Sequence, residues 1–416
     1  MAHVMHAPLP LRGRSEAEAH VGVTCFKLGP PALIGAELEF LVQHRDDPGV
    51  RPPLSELAIA LGEHSPRSIL PQSPSRALPH GSTVTVEPGG QVELSSAPFP
   101  TAAALALALT ADTETLGDRL AGRNLRAVAA AADTARSPQR LLTHPRYEAM
   151  ERVFDRIGPF GRLMMTNTAA VQVSVDAGRA GTQSHGRWAL LHEAGPALLA
   201  AFACSPQLRG APHGGWASQR MRTWLRLDPP RTSGPRLGGD PAAQYARWAV
   251  DAPLLCVRTL EGPWRLPGRV TFTDWVDGRL DAVLPVRPTK DDLDYHLSTL
   301  FPPVRACGHL EVRYLDAQPG EQWQAPMAAI DALLGDDATV EQARSLVGRT
   351  AGRWHDAARV GLADEALRAA ATRLLQLAGR HVPDPGLARL VEQAAERTGR
   401  GLAPEELHRS EQEHIQ

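Results

Sequence analysis

The residues most able to do chemistry are the two acids of Gly35-Ala36-Glu37-Leu38-Glu39-Phe40. Ile34 to Val42 alternates apolar residues with others and holds no breaker after Gly35, which predicts a strand. Glu37 and Glu39 then project from one face, and Ala36, Leu38 and Phe40 from the other. Two carboxylates so placed repel each other, and taking them out of water raises the cost. A hard divalent cation resolves that conflict, and oxygen-only donors of this kind suit Mg²⁺ or Mn²⁺ shared with substrate phosphates. The competing reading is an edge strand with a wet acidic face, and this stretch alone leaves both open.

Three other stretches carry candidate groups. Thr83 to Glu87 alternates, Pro88-Gly89-Gly90 turns, and Gln91-Val92-Glu93-Leu94-Ser95 alternates again, which predicts a hairpin with Gln91, Glu93 and Ser95 on one face. Gly89-Gly90 reads more readily as a tight turn than as a phosphate loop. In His309 to Asp316, Glu311 and Arg313 share a strand face, as a cross-strand ion pair or as a metal ligand beside a phosphate contact. Ser218 to Leu227 can be helical up to the residue before Pro229, placing Arg220 and Trp224 one turn apart, with Arg222 and Arg226 as a second pair and Arg231 beyond the prolines. Such arginines suit bidentate recognition of a carboxylate or phosphate, or form a solvated face with an Arg–Asp pair.

The elements that must position these groups follow in order. Ser15 with Glu18 forms a capping box for a helix carrying Ala17, Val21, Cys25 and Leu28, stopped by Gly29-Pro30-Pro31. Pro48 to Pro79 is expected to be a surface excursion around the short apolar segment Leu54 to Leu61. Helices are expected from Thr101 to about Ala132, from Tyr147 to Ile157, and, apolar on most sides and so buried, from Trp188 to Ala203. Leu163 to Asp176 reads as one long strand on which Gln172, Ser174 and Asp176 share a face that is either functional or simply exposed. Val270 to Val276 is expected to be extended. Beyond Pro319 the chain reads as helical, near 322–334, 339–347, 363–377, 387–397 and 404–408.

Composition bounds the rest. The 416 residues and a net charge of −2 give no sign of a nucleic-acid or membrane partner, and no apolar window approaches the roughly 18 residues of a membrane span. The four cysteines form no C-x-x-C pair, so neither a zinc knuckle nor a redox motif is indicated, and a reducing cytoplasm fits them best. A single catalytic domain is expected, with its core over 15–320 and a helical part over 321–410, as a monomer or weak dimer.

Five motifs in this order, from about Val21 to Pro319, resemble the glutamate-cysteine ligase family of plant and bacterial type. They are Gly35-x-Glu37-x-Glu39; Gly89-Gly90-Gln91-x-Glu93-Leu94-Ser95-Ser96-Ala97-Pro98; Met165-Thr166 with Gln172-x-Ser174-x-Asp176; Arg220 to Trp224 to Asp228 to Arg231-Thr232; and Leu310-Glu311-x-Arg313-x-x-Asp316. Within the family the chain is most similar to the actinobacterial branch of ergothioneine biosynthesis. The resemblance implies an α+β fold, a curved antiparallel sheet forming a funnel with outer helices, related to glutamine synthetase. It also implies ATP-dependent joining of the γ-carboxylate of glutamate to cysteine through a γ-glutamyl phosphate, with Mg²⁺ (Mn²⁺ possible).

Its residues carry over as follows: Glu37, Glu39, Glu93 and Glu311 as metal ligands, Arg313 and Glu93 as catalytic, and Arg220, Trp224, Arg231 and Gln172 as substrate-binding. The Pro-rich excursion after Glu39 departs from the family pattern, so nothing is carried over there. Amide formation needs an activated carboxylate, and the polyanion that activates it needs clamps, which agrees with acids that all fall on strands. Two alternatives stand beside this: a carboxylate–amine ligase or phosphotransferase with another acceptor, and a catalytically silent nucleotide-binding relative. The intact acid set argues against the second.

Overall fold

The computed structural model describes residues 9–30, 32–259, 264, 266 and 268–404. Among the described residues there are seven strands: β1 (Ile34–His44), β2 (Thr83–Val86), β3 (Val92–Ser95), β4 (Leu125–Val128), β5 (Ala170–Val175), β6 (Val304–Ala306) and β7 (Leu310–Asp316). They run β2-β3-β1-β5-β7-β6, with β4 pairing the far half of β1, and the pairings are antiparallel. β1 is thus central, flanked by β3 and β5, and the edge-strand reading of its acids falls away. Its alternation holds: Ile34, Ala36, Leu38 and Phe40 are buried in the main apolar core, while Glu37 and Glu39 face the other way. Burying Leu38 and Phe40 stabilises this face by roughly 1.5–3 kcal/mol each.

Register then lines up the polar face. Glu39 stands opposite Glu93, Glu37 lies between Ser95 and Gln172, and Ser174 lies opposite Glu311. Between Val171 and Val173 the pairing of β5 with β7 shifts.

The helices are α1 (Arg14–Cys25), α2 (Leu54–Leu61), α3 (Ala102–Ala121), α4 (Pro145–Asp155), α5 (Phe160–Asn167), α6 (Thr182–Glu193), α7 (Gly195–Phe202), α8 (Gln219–Leu227) and the single turn α9 (Pro229–Thr232). There follow α10 (Pro241–Asp251), α11 (Phe272–Val276), α12 (Lys290–Leu297), α13 (Gln324–Leu333), α14 (Asp337–Val347), α15 (Trp354–Val360), α16 (Glu365–His381) and α17 (Pro385–Gly399). Among the described residues no helix is long and apolar enough to cross a membrane.

Several elements differ from expectation for identifiable reasons. The N-cap of α1 is Gly13 without a side-chain bond, and Glu16 rather than Glu18 reaches back, to Arg12 N at 2.9 Å. The segment Leu54–Leu61 is a helix whose Leu57 and Leu61 are fully buried, so the Pro-rich excursion is pinned to the core. The Ala-rich helix stops at Ala121, and β4 follows because pairing with β1 overrides the good helix propensity of Leu125, Arg126 and Ala127. The expected strand over 163–176 begins only at Ala170. Its first half is α5, which closes on α4 at Gly161, where a Cβ would lie 2.1 Å from the Phe154 side chain. Gly195 likewise separates α6 from α7 beneath Trp354, which a Cβ would meet at 2.0 Å. Thr271 and Asp274 form a capping box, so 272–276 is a helix rather than extended. The short helix α15 was not anticipated, and the piece expected over 404–408 lies almost wholly outside the described residues.

Candidate active site

The polar face of the sheet opens on a cavity of about 230 Å³, whose wall includes Glu37, Glu39, Glu93, Gln172, Arg220, Trp224 and Arg313. Larger hollows exist, among them one of about 940 Å³ between α6 and α14, but the ionisable groups converge here. Strand phase delivers the acids. Where the β1–β5 ladder ends, the Glu39 side chain takes over, its Oε2 accepting from Ala170 N at 2.9 Å and its Oε1 from Gln172 Nε2 at 3.1 Å. Glu93 Oε1 accepts from Thr85 Oγ1 at 2.8 Å and from Ser95 Oγ at 3.2 Å, and Ser95 Oγ also reaches Glu37 at 3.5 Å. Each of these partners is neutral. Burial, reinforced by Glu93 and Glu311, pushes the Glu37 carboxyl up to about 8. Burial and Glu87 do the same to Glu39, and burial with Glu87 and Glu39 to Glu93, each to about 8.

Glu87 joins them from the end of β2, where burial also raises its pKa. Sequence reasoning passed over it, although its phase was legible: Thr83, Thr85 and Glu87 fall on one strand face. The Gly89-Gly90 turn beside it is structural. Gly90 sits at φ 86°, a Cβ on Gly89 would lie 2.4 Å from Thr166 O, and Arg51 Nη1 donates to Gly89 O at 2.7 Å.

The opposite wall is cationic. Arg305, directly across from Glu311 in the β6–β7 register, donates from Nη2 to Glu311 Oε1 at 2.8 Å and lies 2.8 Å from Oε2 through Nε, while Arg313 Nη1 donates to Oε2. Burial alone would raise the Glu311 pKa; Arg313 and Arg305 reverse that and hold it at about 2. Glu311 is 1 % exposed, and its two arginines form the cavity wall in front of it. Arg305 was missed because a strand of three residues leaves almost no periodic signal. Arg146 and Tyr147 on α4 were missed as well; Arg146 is fixed by Ser298, its Nη1 reaching Oγ at 2.8 Å and its Nη2 the carbonyl at 2.7 Å.

α8 brings the remaining groups. Ser218 caps it, accepting from Met221 N at 3.0 Å while donating to Asp316 Oδ1 at 2.8 Å. Asp316 also accepts from Ser205 Oγ at 2.7 Å and Cys204 N at 3.0 Å, so the end of β7 sets the start of α8. The guanidinium groups of Arg220 and Arg313 then lie over the Trp224 ring at 5.8 and 5.4 Å, and Arg220 Nη2 donates to Arg313 O at 2.7 Å. Arg222 and Arg226 turn away to Trp216, at 5.3 and 5.8 Å.

Arg231 is not brought to this cavity. The Pro229-Pro230 turn points it into the protein, where Nε donates to Asp228 Oδ2 at 3.2 Å, Nη1 to Thr299 O at 2.8 Å and Nη2 to Pro253 O at 2.6 Å. With its donors engaged and a fully buried side chain, it ties the α8–α9 corner to neighbouring loops and borders a separate hollow of about 540 Å³.

The donor set fits hard divalent cations and an anion together. Acids with neutral partners lack compensating charge, while Arg313 Nε and Trp224 Nε1 are buried donors without a partner, and Gln172 Oε1 a buried acceptor without one. On the far side of Glu37 a second hollow, of about 450 Å³, is walled by Gly35, Ser96, Ser174, Asp176, Lys27 and His309 among others, so Glu37 borders both.

An antiparallel sheet with paired acids at one side and paired guanidinium groups at the other is the donor set of enzymes that grip phosphorylated substrates through divalent cations. More particularly, the chain belongs to glutamate-cysteine ligase family 2, matched over residues 33–412. It is 40% identical over 385 residues to glutamate–cysteine ligase EgtA of Mycolicibacterium smegmatis, covering 90% of this chain and 86% of that one. It is 30% identical over 271 residues to the chloroplastic glutamate–cysteine ligase of Medicago truncatula, covering 62% and 52%. A solved glutamate–cysteine ligase from Francisella tularensis in complex with AMP superposes with a TM-score of 0.49 at 13% identity, covering 90% of this chain and 82% of that one.

Proposed function

We propose that the protein joins the γ-carboxylate of L-glutamate to the amine of L-cysteine at the expense of ATP, supplying γ-glutamylcysteine to ergothioneine synthesis. The observation that carries this is the gathering of Glu37, Glu39, Glu87 and Glu93, with neutral partners, opposite Arg305 and Arg313 on the sheet of a glutamate-cysteine ligase family member. Glu37, Glu39, Glu87 and Glu93 would hold Mg²⁺ (or Mn²⁺), with Glu311 contributing through lone pairs its arginines leave free. Bound there, the cations would neutralise phosphate charge and polarise the transferring phosphoryl group.

The chain's own residues do the rest. The hollow beyond Glu37 takes the nucleoside half of ATP, directing the γ-phosphate to the acids. A γ-carboxylate oxygen of glutamate attacks that phosphorus and ADP leaves; the cysteine amine then attacks the acyl carbon, inorganic phosphate leaves and the amine gives up a proton. Arg313, with Nε free, stabilises charge on the phosphoryl oxygens, and Glu93 at the centre of the cluster acts with it. Arg220 and the Trp224 indole N–H hold a substrate carboxylate, and Gln172 keeps Glu39 aimed. Met150, Met164 and Phe301 give the cavity an apolar side suited to a thiol.

The test is purified protein with ATP, Mg²⁺ and glutamate, each amino acid offered in turn and ADP release followed. Cysteine should give the highest kcat/KM. A faster alternative amine would replace the substrate assignment, and no turnover with any amine would make the chain a silent relative.

A further inference from the structure

The tip of the β6–β7 hairpin carries a second donor set, of a different chemical kind from the acids. Cys307-Gly308-His309 is the turn: Gly308 has φ 89°, and Cys307 N donates to His309 O at 3.0 Å. The turn and the pleat put Cys307, His309 and Glu311 on one side of the hairpin, with one ligand atom from each within 4.8 Å of the other two. Cys307 Sγ lies 3.4 Å from His309 Nε2. Tetrahedral coordination with ordinary Zn–S and Zn–N bonds separates two such ligands by about 3.6 Å, so this pair already has the required spacing. Cys307 is exposed and in no disulfide, which leaves an entry path. Thiolate and imidazole are poor ligands for Mg²⁺ and good ones for borderline transition ions.

We infer that Cys307, His309 and Glu311 bind a borderline divalent ion of the Zn²⁺ type, leaving a fourth position for water. Glu311 would be shared between the ion and its pairs with Arg305 and Arg313, which hold both of its oxygens. Taking a Glu311 oxygen loosens the ion pairs that align both guanidinium groups, so the ion acts as a reversible inhibitor in the presence of excess Mg²⁺. That second step rests on the proposed ligase function; the binding step does not.

Co²⁺ added to metal-stripped full-length protein tests the binding. One equivalent should give a thiolate-to-cobalt charge-transfer band with the visible spectrum of a four-coordinate ion, abolished in Cys307→Ser and His309→Ala and displaced by Zn²⁺. Absence of the band, or its persistence in Cys307→Ser, overturns the site. Turnover at free Zn²⁺ fixed by a chelator buffer tests the consequence: Cys307→Ser should equal the wild type without zinc and need at least tenfold more free Zn²⁺ for half inhibition. Equal zinc sensitivity of the two proteins, with the cobalt band intact, overturns the coupling to Glu311. A wild type that releases no ADP would sink the ligase proposal and leave the cobalt spectrum decisive.

Discussion

Glu37, Glu39 and Glu93 on the β1–β3 side of the sheet are partly buried and Glu311 on the β7 side fully so, and the two groups are held in opposite protonation. The first three lean on hydroxyl, amide and backbone donors and are held up to about 8, whereas Glu311 lies between two guanidinium groups and is held at about 2. Under the proposed function, one half of the site is therefore assembled in advance and the other would be completed by a cation. A divalent ion entering the β1–β3 side must displace protons, while Glu311 is ionised before anything binds.

The strongest way to break this comparison is to remove a waiting acid. Glu39→Ala should lower turnover by more than about 100-fold, beyond the 10–100-fold typical of losing an outer partner of a metal ligand. Its melting temperature without metal should change little, because the cost of the desolvated carboxyl and the two hydrogen bonds it accepts, from Ala170 N and Gln172 Nε2, are lost together. Normal turnover at ordinary Mg²⁺ would remove the metal assignment. On the assembled side, Arg313→Lys keeps the charge but not the planar fork, and should cost about 10–100-fold in turnover with only a small change in melting temperature. Equal and small effects on rate and melting would make Arg313 merely the structural partner of Glu311.

Gln172→Ala sharpens the contrast more gently, because Gln172 only aims Glu39. An increase of about tenfold in the Mg²⁺ concentration for half-maximal rate is expected, with kcat at saturating Mg²⁺ largely retained. An unchanged metal requirement would show that Glu39 needs no such support.

The smallest effect is in stability against pH, and its sign differs between the two halves. For Glu37, Glu39 and Glu93, raised from 4.5 to about 8, the folded state keeps protons that the unfolded chain has lost. Their stabilising contribution is complete below about 4.5 and disappears as pH rises through about 8. For Glu311, depressed to about 2, stability is present above 4.5 and lost as pH falls through about 2. Melts of metal-free protein between pH 5 and 9 should therefore show a falling melting temperature, flattened by Mg²⁺, which binds more tightly as pH rises. A metal-free profile that is level across this range would mean that the acids are already ionised.

What the sequence determined by itself was the phase of side chains along each strand. A period of two is a local property, so Glu37, Glu39, Glu93, Glu311 and Arg313 were legible on sheet faces before any neighbour was known. The stop of α8 before Pro229 was legible for the same local reason, whereas its Ser218 cap was seen only in the structure. Tertiary structure decided the rest. Gly161 against Phe154 turned an expected strand into a helix, pairing with β1 drew an Ala-rich segment into β4, and the double proline sent Arg231 inward. Arg305 acquired its place only through the register of β6 with β7. Glu37 and Glu311 have the same intrinsic acidity and end near 8 and near 2, because acid strength in a fold follows burial and the charges that distant segments bring close.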